Sequence, residues 1–372
     1  MSNIKKYLVL GTNAKTLFNF RGKLLKCFID KDVDVVVASS VPDNESLRSI
    51  TKLGVVYKSI HLKRNNLNLM DDLKTLFSLL NLLRSERPHL ILAYGVKLVV
   101  WGGISARLTN VPFFALITGL GFTFHGDSFK RKFLTKLVTF LYKIALKNSK
   151  AVIFQNKDNR NIFIEKGIVP RSKTYVVNGS GVDIKKFNIS EFQPTELNFL
   201  CLSRLLGEKG LREYAAAAKI VKLKHPEVNF LLVGSEDASP DAIPLSEVNS
   251  WSDYVDYKGS TDDVKPYIRD SHVYVLPSYH EGIPRSTLEA MSMGRPVITT
   301  DAVGCKDTVK EGFNGFKVPI GSIQELADRM LWFINNRKEI NTMGVNSRGI
   351  IETKFDVEKV NPKMLKIMGL IE

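Results

Sequence analysis

Short apolar runs alternate with longer stretches of helical periodicity along this 372-residue chain. In the first half, the runs that read as buried strands are residues 7–10, 33–38, 55–57, 90–94, 113–118, 151–155 and 175–177. Their near-continuous Val, Ile, Leu and Phe content is that of strands covered on both faces, as in a parallel sheet. Amphipathic stretches lie between them, most clearly at 71–85 and 129–147. A second series of strand-like runs follows at 198–203, 230–233, 254–257, 272–276, 297–300 and 316–318. Strand–helix alternation repeated in two series predicts an α/β protein of two Rossmann-like lobes, with a ligand cleft between them. The break between the series falls near residues 179–195, where Asn-Gly-Ser-Gly and a polar, Pro-containing segment interrupt the pattern.

The segment 276–294, Leu-Pro-Ser-Tyr-His-Glu-Gly-Ile-Pro-Arg-Ser-Thr-Leu-Glu-Ala-Met-Ser-Met-Gly, joins one strand to one helix. Pro284 suits the first turn of that helix, where a missing N–H costs nothing. Gly294 suits its C-terminal end, and Pro296 prevents continuation. Amides around Gly282 and Ile283 would then gather at a helix N-terminus, which favours an anion. Glu281 sits in the loop before that site and Glu289 about one and a half turns inside the helix. An anion site between two carboxylates suits a nucleotide sugar. Two glycosidase carboxylates are the competing reading, since they flank one bond about 5–9.5 Å apart; that reading leaves the helix N-terminus unused. Another strand-to-helix turn, Arg204-Leu-Leu-Gly-Glu-Lys209-Gly210, brings two cations. Fixed cations stabilise the charge that builds on a leaving diphosphate, Arg204 by gripping two oxygens and Lys209 as a movable point charge. An exposed basic turn is the plain alternative.

Together with Thr300-Asp-Ala-Val-Gly304-Cys305 and Glu311-Gly-Phe-Asn314-Gly315, these motifs resemble those of the family-4 retaining glycosyltransferases, whose architecture is GT-B. The likeness is clearest over residues 198–320. It is nearest to the bacterial enzymes that extend lipid-linked oligosaccharides, N-acetylgalactosaminyltransferases among them. The resemblance implies that Arg204 and Lys209 bind the donor diphosphate, Glu281 the hydroxyls of the transferred sugar, and Glu289 the ribose. It puts Gly234 and the Lys258-Gly259 turn beside the nucleotide base, and it implies no metal and no cofactor. It also implies an acceptor-binding domain over 1–180, a nucleotide-sugar domain over 181–356, and a last helix, 357–372, that returns to the first domain. Many relatives have two adjacent glycines after the first strand; here Gly11 stands alone, at a turn where small residues let a helix N-terminus approach the donor or acceptor. His125, in the loop Thr118-Gly-Leu-Gly121-Phe-Thr-Phe-His125-Gly-Asp127, either orients the transferred sugar or is incidental to a flexible loop.

Composition narrows the partners. Three cysteines without C-x-x-C spacing argue against a disulfide framework or a zinc site and fit a reducing cytoplasm. No signal-peptide pattern opens the chain and no apolar run spans a bilayer. Residues 1–180 hold 29 basic and 11 acidic residues, net +18, whereas 181–372 hold 24 and 27, net −3. Such asymmetry points to a polyanionic partner for the first domain, a general lysine bias being the alternative. The stretch Phe-Lys130-Arg131-Lys132-Phe-Leu-Thr-Lys136 opens a helix without acidic residues. Apolar residues at 133, 134, 137, 138, 141, 144 and 145 form one face of it, so it either docks on anionic headgroups or packs on the core behind a solvated lysine face. Two Asp-x-Asp triplets, Asp30 to Asp34, read as a strand cap rather than a metal site. The absence of a G-x-G-x-x-G turn disfavours a dehydrogenase.

The expected protein is therefore a UDP-sugar-dependent hexosyltransferase of surface polysaccharide assembly (O-antigen, lipopolysaccharide or capsule). It would act peripherally on the inner face of the cell membrane, with N-acetylgalactosamine or N-acetylglucosamine as the expected sugar. A UDP-sugar 2-epimerase of the same fold is the alternative. A nucleic-acid-binding protein is suggested by charge alone, without a base-reading motif.

Overall fold

A computed structural model describes residues 5–63, 68–120, 129–192 and 196–371, with the side chains of 129–132 outside the description. The chain divides into two compact units, Met1–Ser180 with Asn361–Glu372, and Gly181–Val360.

The first unit runs β1 (Lys6–Leu10), α1 (Ala14–Ile29), β2 (Asp34–Ser39), α2 (Asn44–Thr51), β3 (Val56–Ser59), α3 (Leu69–Glu86), β4 (Leu90–Tyr94), α4 (Val96–Leu108), β5 (Phe113–Ile117), α5 (Phe129–Leu146), β6 (Ala151–Phe154), α6 (Lys157–Glu165) and β7 (Thr174–Val176). Its seven strands pair in parallel in the order β3-β2-β1-β4-β5-β6-β7. The second unit runs β8 (Asn198–Leu202), α7 (Leu211–Lys222), β9 (Asn229–Val233), α8 (Leu245–Asn249), β10 (Asp256–Tyr257), α9 (Lys265–Arg269), β11 (Val273–Leu276), α10 (Arg285–Ser292), β12 (Val297–Thr300), β13 (Gly315–Val318), α11 (Ile323–Asn335) and α12 (Arg337–Ile350). Its six strands are parallel in the order β10-β9-β8-β11-β12-β13. A last helix, α13 (Val357–Ile367), carries the chain across the division between the two units.

Every apolar run becomes a strand. The central ones, such as β4, β6 and β11, are buried along their whole length, which explains why they lack strict alternation. Each unit buries its own apolar cluster. The segment after Gly181 is fastened to the second unit by two arginines. The fully buried Arg295 donates to the carbonyl of Ser190 (2.9 Å), and Arg348 donates to that of Phe187 (3.2 Å).

Two sequence expectations need correction. Pro284 is the N-cap of α10 rather than its first helical residue, because its ψ of 114° is extended and Arg285 begins the helix. In α5 the apolar positions do not form a single buried face. Val138, Tyr142, Ala145 and Leu146 enter the core, while Phe133, Leu137 and Phe140 are exposed. The apolar residues cover more of the helix circumference than the sheet below can bury. No helix among the described residues is long and apolar enough to cross a membrane.

Candidate active site

In the second unit the chain leaves β8 towards β9 on one side, and leaves β11 towards β12 on the other. Beyond the carboxyl ends of β8 and β11 the two connections diverge, which opens a crevice of the kind where α/β sheets bind ligands. Both motif loops lie there, Arg204–Gly210 after β8 and the loop 277–284 after β11.

The loops are stitched together. Tyr279 donates its N–H (2.9 Å) and Ser278 its hydroxyl (3.1 Å) to the carbonyl of Glu208. Gly210 has φ +70°, and a Cβ there would overlap the carbonyl of Pro277, so only glycine lets the turn close on its neighbour. Gly304, at φ +79°, does the same for the other flank, where a Cβ would overlap the carbonyls of Glu281 and Gly282. The N–H of Glu281 donates to Val303 O at 2.9 Å. The buried thiol of Cys305 lies under this loop, its pKa pushed up to about 12 by burial and by Glu281.

The charges are arranged in pairs. Lys209 Nζ donates to Glu281 Oε1 at 2.8 Å and lies 3.5 Å from Glu208 Oε1. Burial pulls the Lys209 pKa down, but the two carboxylates outweigh it and hold the ammonium above its ordinary value. Arg204 is close enough that its charge opposes that of Lys209, yet its guanidinium is bonded to Asp237. The carboxyl of Asp237 is raised by burial, but Arg204 and the amide of Ser239 bring it below the ordinary range. One helical turn into α10, Arg285 Nε donates to Glu289 Oε1 at 3.0 Å. Burial raises the pKa of Glu289, and Arg285 offsets part of that rise.

Lys209 is therefore not on an exposed basic turn: its side chain is 11% exposed and already holds Glu281. Two members of this arrangement escaped the sequence reading. Arg285 was legible, standing four residues before Glu289 on one helix. Asp237 was not, because β9 brings it to Arg204 from 33 residues away.

Gly234 sits where β8 and β9 end side by side. A Cβ there would overlap the carbonyl of Ser203, and Tyr257 donates its hydroxyl to Gly234 O at 2.8 Å. Gly282, Ile283 and Pro284 lead into α10, with Ile283 and Pro284 buried. Gly11 belongs to the first unit, at the corresponding divergence of β1 and β4. A Cβ there would come within 2.5 Å of Tyr94 Oη. Asp32, in the α1–β2 connection, and Asp34, the first residue of β2, are exposed at the amino edge of that sheet and so opposite the end where such folds bind ligands. Lys136 is exposed on α5. His125 and Asp127, and the side chains of Lys130, Arg131 and Lys132, lie outside the described residues.

Two family models match the chain, one described as Glycosyltransferase Family 4 over residues 23–186 and one as Glycosyl transferases group 1 over 196–336. The chain is 27% identical to the N,N'-diacetylbacillosaminyl-diphospho-undecaprenol alpha-1,3-N-acetylgalactosaminyltransferase of Campylobacter jejuni, over 88% of this chain and 89% of that one. It is 29% identical to the UDP-Gal:alpha-D-GlcNAc-diphosphoundecaprenol alpha-1,3-galactosyltransferase of Escherichia coli, over 79% and 78%. The crystal structure of Anabaena Alr3699/HepE in complex with UDP and glucose shares the fold, with a TM-score of 0.79 at 19% identity over 99% and 100% of the two chains. The chain belongs to the family-4 glycosyltransferases and has their GT-B fold.

Proposed function

We propose that this glycosyltransferase moves a sugar from a UDP-sugar to a saccharide carried on undecaprenyl diphosphate, with retention at the anomeric carbon and without a metal. One observation carries the donor half. Two cations, two carboxylates and the start of α10 gather where β8 and β11 diverge. An arriving diphosphate competes for Lys209 and Arg204, which exchange their carboxylate partners for phosphate oxygens. Glu281 is then released to the hydroxyls of the transferred sugar, and Glu289 accepts from the ribose. The amides of Gly282 and Ile283 add to the anion site, and Gly234 borders the base.

As the C1–phosphate bond breaks, negative charge grows on UDP, where the two cations stabilise it. The acceptor oxygen bonds to C1 on the same face, and its proton passes to the departing phosphate oxygen. His125 would orient the sugar. The first unit, with Gly11 at its crevice, would take the acceptor. The acceptor side rests on the relatives, since both act on saccharides linked to diphospho-undecaprenol. N-acetylgalactosamine is the preferred sugar because the relative matched over more of the chain transfers it. An acceptor of that kind sets the enzyme peripherally on the inner face of the membrane, in O-antigen, capsule or related glycan assembly.

The test combines a thermal-shift panel of UDP, GDP and ADP with transfer assays. Labelled UDP-N-acetylgalactosamine, UDP-N-acetylglucosamine and UDP-galactose would be offered with an undecaprenyl-diphosphate-linked saccharide. UDP alone should stabilise the protein, and one UDP-sugar should label the lipid. Conversion of a free UDP-sugar to its 2-epimer, with no lipid labelled, would overturn the reading in favour of the epimerase.

A further inference from the structure

In the exchange proposed above, one carboxylate is left without a new partner. Glu281 turns from Lys209 to the hydroxyls of the transferred sugar, whereas Asp237 loses Arg204 and gains nothing. The Asp237 side chain is 10% exposed, against 39% for Arg204. Its Oδ1 accepts from the amide of Ser239 at 2.8 Å, and its Oδ2 meets Nη1 of Arg204. The carboxylate is therefore fixed and largely covered, and the guanidinium is the partner able to swing. Asp237 is not needed to hold the turn that carries Arg204. The connection after β9 braces that turn through bonds that bypass the Asp237 side chain. Leu205 N–H donates to Ser235 O, Ile243 N–H to Leu205 O and Gly207 N–H to Asp241 O, each at 2.9 Å. Glu208 N–H donates to Asp241 Oδ2 at 2.6 Å. What Asp237 decides is where the guanidinium of Arg204 rests.

We propose that Asp237 is a built-in competitor of the donor diphosphate, which takes Arg204 back and so speeds the departure of UDP after transfer. A covered carboxylate that loses its cation keeps its desolvation penalty without the compensating pair. That cost is present while a diphosphate holds Arg204, and it is relieved when Arg204 returns. Glu281 differs, because the sugar hydroxyls compensate it for as long as the donor is intact. The effect falls on the off-rate, where affinity differences between related complexes mostly lie. Product release sets the turnover of many enzymes, and a crevice with two cations would otherwise hold UDP after the sugar has gone. Asp237 acts through Arg204 and touches no substrate, which makes it a positioning residue. The inference rests on the reading of Arg204 as a ligand of the donor diphosphate.

The test is Asp237→Asn in the full-length protein, which keeps the shape and an oxygen for the Ser239 amide but removes the charge. Calorimetry should show UDP bound about tenfold more tightly, near the worth of one hydrogen bond to a charged group. Displacement of a fluorescent UDP analogue, followed by stopped flow, should slow by a similar factor with little change in association. Asp237→Ser, smaller and also neutral, should act in the same sense. Damage to the fold or to the turn would move both quantities the other way. Arg204→Ala should weaken UDP binding, and adding Asp237→Asn to it should recover less than about twofold, since the aspartate acts through the guanidinium. Unchanged or weaker UDP binding by Asp237→Asn, beside the expected loss in Arg204→Ala, would overturn the inference and make Asp237 a clamp that orients Arg204. A gain of about tenfold without Arg204 would sink it too, because the charge would then act on the phosphates directly. UDP binding untouched by Arg204→Ala would instead remove Arg204 from the diphosphate, and the exchange at this site with it.

Discussion

At the scale of single residues, the crevice beyond β8 and β11 is charge-compensated before any ligand arrives. Lys209 and Glu281 hold each other, so removing one leaves the other's charge in a partly dry crevice. Lys209→Ala should lower turnover roughly 10²–10³-fold, as losing one preorganised donor does. It should also destabilise the fold by about 1–3 kcal/mol through the unpaired carboxylate. Adding Glu281→Gln should restore much of that stability without restoring turnover, a difference that denaturant melts and transfer assays separate. Although paired with Arg285, Glu289 titrates in the opposite sense from an ion-paired carboxylate at the surface. Its folded pKa is raised, chiefly by burial. The folded state therefore favours the protonated acid, and ionisation costs stability as pH rises from the unfolded value through the raised folded one. Glu289→Gln should thus leave the ligand-free protein at least as stable near neutral pH, yet weaken UDP binding about tenfold, near the worth of one hydrogen bond to a charged group. Wild-type UDP affinity should fall as pH drops through that same raised pKa. Calorimetry across pH would show both effects, and a pH-independent affinity would remove Glu289 from the ribose.

At the scale of elements, the two motif loops work only as a joined pair. Gly210 closes the first loop on Pro277, and Gly304 lets the second rest against its neighbour. Gly210→Ala should cost about 1–3 kcal/mol through strain at positive φ and overlap. UDP binding should be lost more steeply than stability, because Lys209 precedes this residue directly. A melt that shifts without a disproportionate loss of UDP affinity would show the glycine to be structural only. The helices show the converse. Helical periodicity marked α5 as amphipathic, but only packing decided that Val138 and Tyr142 face the core while Phe133 and Phe140 do not.

At the scale of the whole molecule, charge separates the halves of the chain, net +18 before residue 181 and −3 after it. Each basic residue near an anionic leaflet is worth about 1 kcal/mol. Reversing Lys130, Arg131, Lys132 and Lys136 to Glu should therefore reduce vesicle binding in low salt and slow transfer to a membrane-embedded acceptor. UDP affinity should not change, and co-sedimentation beside calorimetry would test the separation. Full activity with saturating EDTA is the expected behaviour for a diphosphate held by Arg204 and Lys209. Loss of activity that Mn²⁺ or Mg²⁺ restores would instead require a metal.

The sequence by itself determined what is local. Buried strands announce themselves as apolar runs, and Gly294 with Pro296 marks the end of α10, because these signals come from neighbours along the chain. The Glu-x7-Glu motif and the Arg204–Lys209 turn were readable for the same reason. Tertiary structure decided which of these segments meet. Strand order, not spacing, sets Arg204–Gly210 beside the loop after β11, since the sheet reverses its winding between β8 and β11. It also supplied Asp237 to Arg204 and Glu281 to Lys209, because side chains from distant segments share a crevice only after the sheet has formed. The exposed apolar residues of α5 belong to the same class. An apolar residue records that it avoids water, and only the packed sheet shows whether protein is there to cover it.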